Sequence, residues 1–459
     1  MISEKNTKIE YNPITDGVIW KEILVYFFPI LFGTFFQQLY NTVDALIVGR
    51  FIGKEAIAAV AGSAGMVVLL VVGFFGGLST GATVLVSQYY GALNKEKVSK
   101  TIHTVILFCF LCGIALSIAG WILAPSILIW MKTPEDTMEM SITYLRVYSC
   151  GFFGNLVFNI GSGILRAVGD SKRPTRYLMI SCILNTVFDI LFVIPFQMGV
   201  FGAAAATVLA QMISACLVLH VLHDTTDCYR FEWKNLSMDS GILTDMIRIG
   251  LPAGLISVMY GFSNTIIQVG FNGISTDAVA AWAVYYKVDT VYWMGINAFG
   301  ATITTFVGQN FGAGKMKRIY KSIRTTQLMS LGFSIICSFC IYVLGPWCIP
   351  FFVDDPAVIA VGTDMMHYLC VFYIIYTSIE VLSGALRGIG DTVIPMIICA
   401  LGICALRSAW IIWVLPLRHD MYTLMFSYPL SWGITLAAFL IYFVFFSKLK
   451  LFGSGRILR

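Results

Sequence analysis

Long apolar runs separated by short polar clusters organise this chain of 459 residues. Most runs reach the roughly 20 residues that a helix needs to cross the hydrocarbon core of a bilayer. The pattern predicts twelve helices. The first six lie over residues 18–42, 57–86, 99–124, 138–164, 175–195 and 201–222. The other six lie over 246–271, 279–308, 320–345, 361–386, 394–416 and 424–447. Turn-forming or charged residues gather at the breaks, as in GALNKEKVSK, MKTPEDT, GDSKRP, GAGKMKR and VDDP.

Lysine and arginine test that count. With the N-terminus on the cytoplasmic side, 23 of them fall in inside segments and 4 in outside segments, and Arg146, Lys287 and Arg407 remain within helices. The positive-inside rule predicts such a bias, and a helix too many or too few would scramble it from that point on. Both termini are therefore expected in the cytoplasm, with the protein in the cell membrane. Charged residues make up 12% of the chain, about half the soluble-protein share of roughly 25%, too few to cover a water-exposed surface. The polar start, MISEKNTKIEYNPITDG, has no cleavable-signal pattern. A net charge of +5 gives no reason to expect nucleic acid.

The chain repeats itself at an offset of 221 residues. LRAVGDSKRP (165–174) aligns with LRGIGDTVIP (386–395), SQYYG (87–91) with GQNFG (308–312), and Pro195 with Pro416. A unit of six helices starts and ends on the same side, so the halves run parallel around a pseudo-twofold axis along the membrane normal. The expected architecture is all-α and membrane-integral. Residues 1–222 form a six-helix lobe carrying a cation site, 223–245 a cytoplasmic linker, and 246–459 a second six-helix lobe.

Ionisable groups inside a bilayer cost at least about 2.5–3.5 kcal/mol, so they are functional candidates by default. Asp44 shares a helix face with Asn41, Tyr40 and Gln37, a polar stripe suited to a wet cavity. Asp189 has Asn185 one turn earlier. A carboxylate with a carboxamide offers hard oxygens to Na+, or holds and releases a proton; local capping or pairing is the plainer alternative. At the repeat offset Asp189 corresponds to Trp410 and Asn185 to Leu406, and the counterpart of Asp44, near Thr265, has no acid. The cation site is therefore expected in the first lobe alone. Glu380 and Arg407 are expected to form a buried ion pair in the second lobe. Lys287 and Asp289 point apart and need separate partners. In the two repeated turns Gly169 and Gly390 suit a left-handed helix end, and Asp170 and Asp391 suit N-caps. Pro29 and Pro252 each permit a kink in the first helix of a half. Met259, Tyr260 and Trp282 are candidates for a cavity wall, with packing or lipid contact as the alternative.

The two CxxC pairs, Cys109/Cys112 and Cys337/Cys340, lie in apolar helices and read as packing. His220 and His223 lack a third ligand cluster. No nucleotide-binding or hydrolase pattern is present, and neither an enzyme nor a cofactor is expected.

The stretches NTVDALIVGRFIG (41–53), STGATVLVSQYYGA (79–92), GILRAVGDSKRP (163–174), LNTVFDILF (184–192) and LSGALRGIGDT (382–392) give the chain a resemblance to the multidrug and toxic compound extrusion (MATE) family over essentially its full length. The resemblance implies a twelve-helix, two-lobe antiporter that exchanges Na+ or H+ for small, often cationic organic compounds. It also implies a cation site at Asp44, Asn185, Asp189 and Thr207, with Tyr144 and Tyr148 both open as a further member. A glutamate that another branch carries on the seventh helix has no counterpart in LPAGLISVMYGFSNT. Small-molecule drugs or metabolites and membrane lipid are the expected partners of a monomer. The nearest rival is a lipid-linked oligosaccharide flippase of the same superfamily, which calls for a larger and more cationic cavity. A membrane-embedded enzyme and a channel are the more distant rivals.

Overall fold

In the computed structural model of the chain, residues 12–447 and 449 are described, and twelve long helical segments account for nearly all of them. They are α1 (Ile19–Phe51), α2 (Lys54–Gly91, interrupted at Gly62), α3 (Lys95–Trp130), α4 (Glu135–Cys150 and Phe152–Ala167), α5 (Lys172–Val193) and α6 (Gly199–Asp224). After the connector follow α7 (Ser240–Asn272), α8 (Thr276–Gly312), α9 (Met316–Cys348), α10 (Pro356–Cys370 and Tyr373–Gly388), α11 (Val393–Arg418) and α12 (Met421–Phe446). Among the described residues nine are long and apolar enough to cross a bilayer, ten if the two pieces of α10, bent by 49°, count as one span. The remaining two are α4, divided at Gly151, and α8, which carries Lys287 and Asp289.

Most helices outrun the apolar cores that mark them. α1 continues to Phe51 rather than ending near residue 42, because the polar residues after Gln37 lie on one face and leave the helix intact. α7 starts six residues earlier than hydropathy suggests, where the Asp239 side chain accepts the Ile242 amide as an N-cap. Asn94, Ser275, Asp355 and Asp420 cap α3, α8, α10 and α12 in the same way. In the first repeated turn Gly169 has a φ of +102°, and Asp170 Oδ1 accepts the amides of Lys172 and Arg173, both at 3.1 Å. In its mate Gly390 has a φ of +78°, but Asp391 instead accepts the Tyr442 hydroxyl at 2.6 Å.

Two bundles result, α1–α6 and α7–α12, and they trade pieces. The first half of α1 (Ile19, Ile23, Tyr26, Phe27) is buried in the core of the second bundle, whereas Ile47 and Val48 belong to the core of the first. α7 mirrors this: Ile242, Met246 and Ile249 join the first bundle's core, and Ile267 and Phe271 the second's. Pro29 and Pro252 lie where each helix passes from one core to the other. A proline there removes one backbone hydrogen bond, and the Thr175 hydroxyl ties the spot in α1 to α5 by donating to Pro29 O at 2.7 Å.

The bundles meet most closely at the end that carries the basic loops. α2 lies against α7 and α8, and small residues let the backbones touch: a Cβ on Gly77 or Gly81 would strike the backbone of α7 at Gly254 or Met246. The contact between the final turns of α2 and α8 obeys the repeat. A Cβ on Gly91 would strike Gln309 O, and one on Gly312 would strike Gln88 O. Gln88 Nε2 crosses to donate to Gly388 O at the end of α10 (2.9 Å), and Gln309 Nε2 donates to Ala167 O at the end of α4 (2.6 Å). Each glutamine thus donates to a helix-end carbonyl of the opposite bundle, a group that the last turn of a helix leaves without an intrahelical partner. Gln309 Oε1 also accepts from Asn12 Nδ2 at 2.9 Å. The single turn Pro13–Asp16 is held under the second bundle by Lys315, 2.6 Å from Asp16, and by Arg318, which donates to Ile14 O and Gly17 O.

Candidate functional site

Each bundle holds a buried acidic centre and a cavity. In the first bundle, α5 carries Asn185 and Asp189 on one face, and α6 brings Thr207 against them. Asn185 is 2%, Asp189 0% and Thr207 2% exposed. Asn185 Nδ2 donates to Thr207 Oγ1 at 3.3 Å; with its amide turned over, it donates to Asp189 Oδ2 at 3.1 Å and accepts the Thr207 amide at 3.3 Å. Asp44, two turns before the end of α1, faces the same region, and the two carboxylates interact electrostatically. Tyr144 and Tyr148 are buried on α4 in the same core, and Tyr148 takes a 3.2 Å hydrogen bond from Gln211.

The decisive feature is what these acids lack. Oδ1 of Asp44 and Oδ1 of Asp189 are both shut off from solvent with no hydrogen-bond partner. Neither acid has a basic side chain within ion-pair distance among the described residues. An unpaired buried carboxylate is strongly unfavourable, so the site is chemically suited to a small cation or a proton. Several oxygens from the acids, Asn185 and Thr207 suit a hard cation such as Na+.

Toward the basic-loop end of the same bundle opens a cavity of about 130 Å³, lined by Gln37, Tyr40, Asn185, Thr207, Gln211 and Arg166 among others. Gln37 and Tyr40 thus share a wall with two of the cation-site candidates. Asn41 is exposed and stands outside that wall.

The second bundle is arranged differently. Its cavity, about 300 Å³, is lined by Tyr260, Asn264, Asn297, Glu380, Arg387 and Arg407 among others. Tyr260 is therefore on a cavity wall. Met259 is half-buried beside it, and Trp282 is packed in the core, stacked on Phe271 and Tyr285. The expected Glu380–Arg407 pair does not form. Glu380 is bound by Arg387, two turns along the same helix, at 2.5 Å, and this nearer partner satisfies it. Arg407 instead donates to Ser431 and stacks on Tyr428. Asp289 is buried among donors, bonded by the Tyr373 hydroxyl and by Trp293 Nε1 at 2.5 Å. Lys287 lies over the Phe352 ring at 5.1 Å. The second bundle does hold a buried carboxylate, but a satisfied one.

Sequence reasoning passed over Gln88 and Gln309. The alignment of SQYYG with GQNFG carries the signal, since the same amide recurs beside the same glycine in both halves.

Comparison with known proteins agrees with this architecture. The MatE family model matches residues 29–191 and 252–410, one segment in each bundle. The chain is 27% identical over 410 residues to the probable multidrug resistance protein YpnP of Bacillus subtilis, covering 86% of this chain and 90% of that protein. It is 24% identical over 406 residues to the probable multidrug resistance protein NorM of Thermotoga maritima, covering 85% and 84%. Among solved structures, an outward-facing multidrug resistance MATE transporter of the MOP superfamily superimposes with a TM-score of 0.87 at 20% identity, over 98% of this chain and 100% of that one. A MOP superfamily transporter from Pyrococcus furiosus gives 0.88 at 20% identity, over 96% and 100%. Two matched halves, a twelve-helix two-lobe fold and full-length relatives agree: the chain belongs to the MatE family of multidrug efflux transporters.

Proposed function

We propose that this protein is a secondary antiporter that exports small, often cationic organic compounds in exchange for Na+ or H+ by alternating access. The observation that carries the reading is the pair of buried carboxylate oxygens, on Asp44 and Asp189, left without partners in one lobe. A coupling cation would be held there by Asp44, Asn185, Asp189 and Thr207, with Tyr144 beside them. A ligand shifts a conformational equilibrium only through its differential affinity for the two states, so occupancy must matter more in one orientation than the other.

α1 supplies the connection. Asp44 sits on the half of α1 that belongs to the first lobe's core, while the other half is packed into the second lobe. A movement of α1 that closes oxygens around a cation therefore pulls on the opposite lobe. The glutamine contacts between α2, α4, α8 and α10 close the end with the basic loops, which the charge bias assigns to the cytoplasm, leaving the other end for release. In this reading the protein works as a monomer in the cell membrane with both termini inside. The flippase alternative is disfavoured because cavities of about 130 and 300 Å³ are small for a lipid-linked oligosaccharide.

The test is dye efflux from membrane vesicles under Na+ and pH gradients imposed separately. One of the two gradients should drive export of a cationic dye; export under neither would refute the antiport reading.

A further inference from the structure

The cavity of the second lobe contains a charge that cation-coupled export leaves unused. Arg407 is only 4% exposed, yet no carboxylate lies within ion-pair distance of it among the described residues. Nε and Nη2 share one acceptor, the Ser431 hydroxyl, at 3.3 and 3.0 Å. Nη1 has no hydrogen-bond partner among the described residues. The Tyr428 and Trp432 rings lie 4.1 and 5.9 Å from the guanidinium carbon. Two acids of this lobe are already committed, Glu380 to Arg387 and Asp289 to Tyr373 and Trp293.

The backbone around Arg407 is also unusual. It sits on a short α-helical turn, Leu406–Ala409, between two π-helical stretches, Ala400–Ala405 and Trp410–Val414. Such stretches are rare and concentrate at functional sites, because the extra residue per turn re-aims side chains. At the repeat offset Arg407 corresponds to Thr186, the neighbour of Asn185. The first lobe thus has a hydroxyl, bonded to Cys182 O of its own helix, where the second presents a guanidinium.

We propose that the cavity of the second lobe is a second ligand site, in which Arg407 takes a carboxylate of the exported compound while Tyr428 and Trp432 flank it. A planar guanidinium with free N–H groups matches a carboxylate in charge and shape. A single uncompensated cation suits a monoanionic group, and about 300 Å³ admits an aromatic ring bearing it. Asn264 and Asn297 offer further donors on the wall. The inference rests on the export reading and narrows it: compounds carrying both an amine and a carboxylate become the preferred cargo.

Two dyes that differ only in this group make the test. Rhodamine 110 carries a free carboxylate, and rhodamine 123 is its methyl ester. Fluorescence anisotropy with the purified full chain in detergent should show rhodamine 110 binding about tenfold or more tightly, as expected for one charge-assisted contact. Arg407→Gln should erase that preference, and Arg407→Lys should keep part of it. Equal affinities in the unaltered protein, or no binding of rhodamine 110, would overturn the proposal. So would a preference that survives Arg407→Gln and disappears in Arg166→Gln, an arginine on the wall of the other cavity. Should Arg407→Gln fail to fold, competition on the unaltered protein decides: benzoate displacing rhodamine 110 where benzamide does not supports the site, and equal displacement removes it. Binding is read without transport, so carboxylate-dependent binding in a protein that exports nothing would discard the export reading and leave this site standing.

Discussion

Replacing Gln88 and Gln309 by leucine tests whether the reciprocal contacts hold the basic-loop end shut. Leucine keeps most of the volume and removes three hydrogen bonds: Gln88 to Gly388 O, Gln309 to Ala167 O, and Asn12 to Gln309. The first two cross between the lobes and exchange for water when these part, whereas Asn12 stays with the second bundle; each crossing bond contributes a net of about 1 kcal/mol. The double variant therefore loses about 2 kcal/mol of closure, roughly a 30-fold shift in the equilibrium between the two orientations. The clasp between Asp16 and Lys315 adds little to closure, because it ties the N-terminal turn to the second bundle rather than one lobe to the other. Both side chains are more than a third exposed, and such pairs contribute about 0–1 kcal/mol. Spin labels at positions 97 and 321, in a background without the twelve native cysteines, report the separation of the lobes by pulsed electron resonance. The double variant should populate a longer distance that is minor in the parent. An unchanged distribution in a folded double variant would refute the reasoning.

Gly91→Leu and Gly312→Leu should each open the same end, because the new side chains meet the backbone at Gln309 and Gln88; the label distances read this, and a closed distribution in both would contradict it. Asp289→Ala should lower the melting temperature, since it strands the Tyr373 and Trp293 donors in a buried site at a cost of about 1–3 kcal/mol; an unchanged melting curve would count against the cage. Lys315 holds the Asp16 carboxyl below its ordinary value of 3.8. The clasp's contribution is then fully present above that value and lost only as pH falls through the depressed one. The stabilisation this pair gives, read as the difference in melting temperature between the parent and Asp16→Asn, should not change between about pH 5 and 8, and a difference that varies in that range would contradict the assignment.

The number of helices and the fold class were legible because each follows from local periodicity and from charge counting; of the polar stripe of α1, Gln37 and Tyr40 line the cavity and Asn41 does not. The exchange of half-helices was not. Ile23 and Ile47 are equally apolar, and nothing in the sequence says that one packs in the second lobe and the other in the first. Asn185, Asp189 and Thr207 do come together, on two adjacent helices. Glu380 shows how a sequence argument fails: pairing it with Arg407 on the next helix overlooked Arg387, two turns away on its own helix. The π-helical stretches around Arg407 were equally hidden, since ALGICALRSAWIIWV reads as ordinary apolar helix.

The central claim is that one small cation bridges Asp44 and Asp189, and dye transport in proteoliposomes tests it most directly. Transport against a dye gradient is measured with a Na+ or pH gradient imposed, for the parent, Asp44→Asn and Asp189→Asn. The account predicts that one ion gradient drives the parent and that either substitution abolishes the driven component while the protein still inserts and binds dye. Uphill transport at parental rates in both variants would contradict it.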